Sequence, residues 1–457
     1  MLFEARVNGL GAHRKGTYFL QSYSLSTCDL IHFLLLSFLP SFLPSFFHAL
    51  KVGATSGVIG NGKASLPWAA LPKKIALIGP TVTSDKCEGS VVGAYVLSGA
   101  KVTCIDAALS ASGVDYSVSG AIATDGAAVT GDAEVSTEDA AAIATAVAAV
   151  NDAATTAAII VLGDLSGHVC GEWGDRDDLT LNGAQLPLLK AVVAAASARN
   201  NNAANANAEH FSVVLVLTHG RPQTFGDAAS GGGEPLLAKL DGLIAAWRPG
   251  EEFGPALLDL LTGAVTPSGK LSHSWPRTVG HVHSGSTPWL QRVAGKWISN
   301  RVGSLDPDGR RYDSYGTSNF APTPLFRFGA GLSYTTFKLS ELAVTEAAAG
   351  SASLWSVKLN VANTGKHDGA TVVQVYVQDP RGLPFVPFWK RLVAFKRIDL
   401  ASGASVDVAI DVLREDVQMY DDAATGEFEL TLFSGVYALS VGTGSEIALL
   451  AANVTVA

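Results

Sequence analysis

From residue 73 onward, apolar and polar positions fall into blocks of two kinds. The first kind consists of short, wholly apolar runs, each followed by an alanine- and leucine-rich stretch of helical length. KKIALIGP (73–80), TAAIIVLGD (156–164) and FSVVLVLTHGRP (211–222) each hold an unbroken apolar core and end in turn-forming residues. Such runs are expected of strands buried on both faces of a parallel sheet. Between them, STEDAAAIATAVAAVNDAA (136–154) opens with Ser136 or Thr137 ahead of Glu138 and Asp139, an N-terminal capping signature, and continues in helix-forming alanine. NGAQLPLLKAVVAAASA (182–198) and EEFGPALLDLLTG (251–263) read as further helices, the second stopped by Gly263. LDGLIAAW (240–247) fits a strand or the start of a helix. This alternation predicts an α/β sandwich with a mainly parallel sheet over residues 73–275.

The second kind begins near residue 337, where the period shortens to two. SVKLNVANTG (356–365), TVVQVYVQD (371–379), SVDVAIDVL (405–413) and GVYALSVGTG (435–444) alternate apolar with polar residues and end in turn formers. No helical pattern separates them, so residues 337–457 are expected to form an antiparallel β-sandwich. The connecting segment 276–336, rich in Gly, Ser, Pro, Arg and Trp, is far longer than an ordinary loop and is expected to be functional or to wrap a surface. The asparagine-rich run 200–209 reads as a surface insertion.

Composition narrows the possibilities. With 48% hydrophobic and 16% charged residues in 457, the chain can bury a large core. A net charge of −9 provides no basic footprint for nucleic acid. Four cysteines, Cys28, Cys87, Cys104 and Cys170, are too few for a disulfide framework and include no CxxC pair for zinc. Residues 1–72 differ from the rest: LLLSFLPSFLPSFFHAL (34–50) repeats LPSF with a period of four. Two readings stand, a translated tetranucleotide repeat or intron, and a membrane anchor over residues 30–50, which is about the 20 residues a span requires. Membrane association is expected only if the second holds.

Candidate chemistry sits after the second apolar run. The first run ends IGPTVTS, without the glycines of a dinucleotide fold, and there is no phosphate-binding loop, no GxSxG and no HExxH. No metal or organic cofactor is suggested. The segment GDLSGHVCGEWGDRDDL (163–179) brings Glu172, Asp175, Asp177 and Asp178 to the carboxyl edge of the sheet, where open α/β folds build their sites. A solvated turn would need no more than this. The chemical alternative is Glu172 as a general acid, its carboxyl desolvated by Trp173 while Arg176 favours the ionised form. Trp247, Trp275, Trp289 and Trp297 could stack on a sugar ring, although packing is the commoner use of such residues. Asn453-Val454-Thr455 is a glycosylation sequon.

The pattern Glu172, Asp175, Arg176, Leu181, Gly183, Gln185 resembles the second domain of glycoside hydrolase family 3, which contains β-glucosidases and β-xylosidases. THGRPQTF (218–225), the block 244–277 and PLFRFGAGLSYTTF (324–337) are similar to three further family segments in the same order. The sandwich, with Gly435, Tyr437 and Gly442, resembles the fibronectin type III-like domain that follows in many members. The resemblance implies a retaining, exo-acting β-glycosidase acting on an oligosaccharide or other β-glycoside, outside the cytosol or in a vacuole. It makes Glu172 the acid/base, with Asp175 and Arg176 supporting its loop. It also implies a nucleophilic aspartate on a (β/α)8 barrel. A barrel needs at least about 200 residues, so the 72 residues ahead of the α/β layer are expected to supply neither barrel nor nucleophile. The barrel would then be encoded upstream or separately. A non-catalytic carbohydrate-binding or interaction protein built from the same two domains is the other reading. Asn182 in place of a family proline, and Glu252–Phe253 in place of Gln-Gly, are lesser departures.

Overall fold

A computed structural model describes residues 48–52, 66–92, 101–123, 135–164, 178–202, 210–226, 233–277, 324–380, 383, 390–421, 429–445 and 448–456. Five parallel strands form the centre of the first layer: β2 (Lys74–Ile78), β3 (Asp115–Ser119), β4 (Ala157–Gly163), β5 (Ser212–Thr218) and β6 (Gly242–Trp247). A sixth, β1 (His48–Val52), pairs antiparallel with β6 at the edge, giving the order β1-β6-β5-β4-β2-β3. The segment 240–247, open between strand and helix on sequence grounds, is thus a strand from Gly242. Strand β3 and the helix before it, α2 (Ile105–Ser112), were not foreseen.

Helices cover both faces. α3 (Thr137–Asn151) and α4 (Gln185–Asn201) pack on one, while α2 and α6 (Phe253–Thr262) pack on the other. The capping signature of α3 is realised: Ser136 Oγ accepts from the Asp139 amide at 3.0 Å and lies 2.9 Å from its carboxylate. Helix α6 stops at Gly263, whose φ of +76° suits a left-handed C-cap. Two short helices, α1 (Glu88–Val91) and α5 (Glu234–Leu237), complete the layer. A disulfide links Cys87, just ahead of α1, to Cys104, just ahead of α2, with Cα atoms 6.4 Å apart. Cys28 and Cys170 lie outside the described residues.

Ordered packing begins before residue 73. Leu66 and Trp68 are buried against the α6 face, where the Trp68 amide donates to Leu261 O at 2.7 Å and its indole donates to Ser212 Oγ at 3.3 Å. No helix among the described residues is long and apolar enough to cross a membrane.

The second layer is all antiparallel. β10 (Arg391–Leu400), β9 (Gly369–Gln378), β14 (Gly435–Gly442) and β15 (Ala448–Val456) form one sheet in that order, facing β11 (Ser405–Leu413), β8 (Ser353–Asn363) and β7 (Phe337–Glu346). A short helix, α7 (Arg414–Val417), and a small hairpin of β12 (Met419–Asp421) and β13 (Glu429–Thr431) sit between β11 and β14. Trp355 and Tyr437 meet edge to face at 5.6 Å in the core, and the Tyr437 hydroxyl donates to Phe433 O at 2.7 Å. That explains the aromatic position in the Gly435–Gly442 motif: its ring fills the sandwich while its hydroxyl reaches a backbone carbonyl. The layers join through Arg397 to Ser268 Oγ (2.9 Å), Thr266 Oγ1 to Asp368 O (2.6 Å) and Tyr334 against His367.

Candidate active site at the carboxyl edge of the sheet

The strand order reverses direction between β2 and β4, one leading outward to β3 and the other toward β6. At such a switch point the chain leaves a crevice at the carboxyl ends of the strands, where α/β proteins place their ligands. β2 is followed there by a glycine, and β4 ends in one, that a larger residue could not replace. Gly79 (φ +139°) lies against Val161 O and Gly163 (φ +150°) against Thr218 O.

Beyond Gly163, the chain enters the segment carrying the predicted site residues Glu172, Asp175 and Arg176. These three lie outside the described residues, as do Trp173 and Asp177. What the structure describes is the stem on either side. Asp164 is fully buried, and its amide donates to Thr218 O at 3.0 Å. Its carboxylate accepts from Arg221 Nη2 at 3.0 Å and from Asn182 Nδ2 at 3.4 Å, and its carbonyl accepts from Arg248 Nη1 at 2.6 Å. The same Arg221 Nη2 donates to Thr180 O at 3.1 Å, so one guanidinium touches the chain before and after the segment. On the return side Asp178 Oδ1 accepts from the Thr180 amide at 2.8 Å, and Leu179 O accepts from the Thr224 amide at 2.8 Å.

Gln185 explains the Gly-x-Gln signature. Its side-chain oxygen accepts from the Gly163 amide at 2.8 Å and its nitrogen donates to Gly163 O at 2.9 Å. A side-chain amide thus satisfies both backbone groups of the last residue of β4, beyond the point where the β2 pairing ends at Ile160. Asn182, the residue at the family's proline position, uses its side chain on Asp164 and its carbonyl on Gln185.

Next to the stem stands an aromatic cluster that sequence reasoning did not assemble. His219 is fully buried; its ring lies 4.4 Å from Trp247 and 5.1 Å from Trp275, and the His273 ring lies 5.0 Å from Trp247. The Arg221 carbonyl, 2.6 Å from His219 Nδ1, can only accept, so that nitrogen carries the proton. Burial, reinforced by the charges of Arg248, His273 and Arg221, pushes the His219 pKa down to about 3. Burial also lowers that of His273. His219 is therefore a neutral imidazole, and its Nε2 has no partner among the described residues. Trp247 takes a φ of +57°, rare for a large side chain, and its carbonyl accepts from the His219 amide at 2.8 Å. Trp275 is a packing residue, fully buried with its indole donating to Gln223 O at 2.7 Å. Trp289 and Trp297 are outside the described residues. Among the described residues no group of three or more His, Cys, Asp or Glu could hold a metal ion.

A parallel sheet with a clamped crossing at its switch point, followed by an antiparallel sandwich, is the arrangement that the sequence motifs imply. Residues 58–334 match the glycosyl hydrolase family 3 C-terminal domain and residues 371–445 the fibronectin type III-like domain. The chain belongs to glycosyl hydrolase family 3. Among curated members, it is similar to a beta-xylosidase of Formosa agariphila, 30% identical over 64% of this chain and 34% of the relative. It is also similar to a periplasmic beta-glucosidase of Salmonella typhimurium, 30% identical over 63% of this chain and 34% of the relative. Among solved structures, a beta-glucosidase of Listeria innocua in complex with isofagomine superposes with a TM-score of 0.67 at 25% identity. That superposition covers 94% of this chain and 51% of the other. This family 3 chain thus spans about a third of the length of those curated relatives. Asp164, His219, Arg221 and Arg248 all lie inside the family-like segments 163–179, 218–225 and 244–277, but nothing in those segments marks them as partners of one another.

Proposed function

We propose that this chain is part of a retaining, exo-acting β-glycosidase that releases terminal β-linked sugars, with glucosides and xylosides as the substrate class. In this reading Glu172 is the general acid/base, protonating the departing glycosidic oxygen and then activating water. Asp175 and Arg176 orient the segment that carries it. The nucleophilic carboxylate comes from a (β/α)8 barrel that is encoded upstream of this sequence or as a separate chain, and it stands about 5–5.5 Å from Glu172, as retention of configuration requires. The protein works outside the cytosol.

The observation that carries the reading is the stem itself. Within a family 3 chain, the Glu-x-x-Asp-Arg segment departs from the carboxyl end of β4 at the switch point, between two residues that Arg221 holds together. A solvated turn has no need of a buried carboxylate–guanidinium clamp at its base. Relatives named beta-xylosidase and beta-glucosidase support the substrate class.

Hydrolysis of aryl β-glucosides and β-xylosides provides the test. The 457-residue chain alone is expected to be inactive, and activity is expected when the barrel is supplied, fused or in trans. In the active form, Glu172→Gln should lower kcat by about 100-fold or more, the scale of general acid–base catalysis. Azide should restore turnover on activated aryl substrates by taking the place of water. Full activity of the Glu172→Gln form would reject the acid/base assignment, and turnover by the isolated chain would reject the missing nucleophile.

A further inference from the structure

We infer that Asn453 is an N-glycosylation site, and that its glycan covers the outer face of the last two strands of the sandwich. Asn453-Val454-Thr455 is the single Asn-x-Ser/Thr sequon in the 457 residues. It lies in β15, the edge strand of its sheet, where side chains alternate between faces. Leu450, Val454 and Val456 turn inward against the sandwich core. Leu449, Ala451, Asn453 and Thr455 all turn outward and are exposed. The strand therefore delivers both recognition side chains, the asparagine amide and the threonine hydroxyl, to solvent on one face and buries only the residue between them.

The neighbourhood fits a glycan. Asn453 pairs across the ladder with Ala438, and Thr455 with Val436. Val436 is 55% exposed and Leu449 45%, two large apolar side chains on the outer face of this strand pair. Cross-strand diagonal neighbours lie about 7–8 Å apart, so the first sugar on Asn453 reaches over Ala438 and Val436. None of the described residues donates to or accepts from the Asn453 side chain, which leaves its amide available.

A second, independent feature points to the compartment in which such transfer happens. The Cys87–Cys104 disulfide, with both cysteines fully buried, is a bond of the kind that persists in oxidising compartments. The modification joins the anomeric carbon of a lipid-pyrophosphate-linked oligosaccharide to Asn453 Nδ2. The bond from that carbon to the phosphate oxygen breaks, the lipid pyrophosphate leaves, and the amide gives up one proton.

The test is cell-free translation of the full chain behind a cleavable secretion leader, with microsomes present and protease added afterwards so that only imported chains are scored. One glycan is expected on the imported chain, removed by peptide N-glycosidase and located at residue 453 by heavy-oxygen labelling during that removal. Asn453→Gln and Thr455→Ala should abolish it, whereas Thr455→Ser should keep it. Imported wild-type chain without a glycan overturns the assignment and leaves the glycosidase proposal untouched. Purified glycosylated chain should bind an apolar dye less than the enzymatically deglycosylated one, and Val436→Thr should narrow that difference. Equal dye binding before and after removal overturns the covering role.

Discussion

Arg221 contributes to the proposed site by holding Asp164 and the Thr180 carbonyl together at the base of the segment. Its guanidinium is largely buried against a fully buried Asp164, and removing one partner of such a pair strands a charge away from water. Arg221→Ala is therefore expected to lower stability by about 3–5 kcal/mol, measured by urea unfolding. The double replacement Asp164→Asn/Arg221→Gln removes both charges and should recover most of that loss. A single replacement as mild as the double would show that the pair is not desolvated. His219 gives a second expectation at this scale. Its folded pKa of about 3 lies below the ordinary value of 6.5, so the unfolded chain takes up a proton that the folded one refuses. The stabilisation is complete above pH 6.5 and is lost as pH falls toward 3, at up to about 1.4 kcal/mol per pH unit. His219→Phe should flatten that slope in urea titrations repeated from pH 7 to pH 4, and an unchanged slope would assign it to other groups.

Among the elements, the contrast is between what periodicity announces and what it does not. The wholly apolar runs became β2, β4 and β5, because a strand buried on both faces has little room for a polar side chain, and the segment left open between strand and helix became β6. Strand β3, Asp-Tyr-Ser-Val-Ser, lies at the edge with one face half wet, so its pattern carries no such imprint. Helix α4 starts at Gln185 rather than 182, since Asn182 and Gln185 are spent on the stem. The site was legible only as a motif around Glu172. Its clamp joins residues 164, 180, 221 and 248, and no local window holds that information. The disulfide was equally hidden, because spacing alone did not choose among Cys87, Cys104 and Cys170. Its two cysteines are 17 residues apart, and closing a loop of that length in the unfolded chain is worth about 3 kcal/mol. Cys87→Ala/Cys104→Ala should lower the urea midpoint accordingly, and a midpoint identical to that of the oxidised protein would contradict the pairing.

At the scale of the whole molecule, the sandwich is bound to the α/β layer by polar contacts and by Tyr334, whose hydroxyl donates to Leu260 O at 2.8 Å from a buried position. Burial raises the pKa of that hydroxyl beyond reach, so it acts as a fixed donor at every working pH. Tyr334→Phe should cost about 0.5–1.5 kcal/mol, and since the residue sits at the junction, both layers should lose protection together in hydrogen exchange. Loss confined to one layer would mean that they unfold independently. The packing of Trp68 onto Leu261 has a further consequence, for biosynthesis. The residues that close one face of the sheet are made before it, and their partner Leu261 emerges 193 residues after Trp68. At about 5–20 residues per second, Leu66 and Trp68 wait roughly 10–40 seconds for the α6 face they pack on. During that interval an apolar surface stands open to any chaperone that binds nascent chains, and translation speed becomes part of how this layer is assembled.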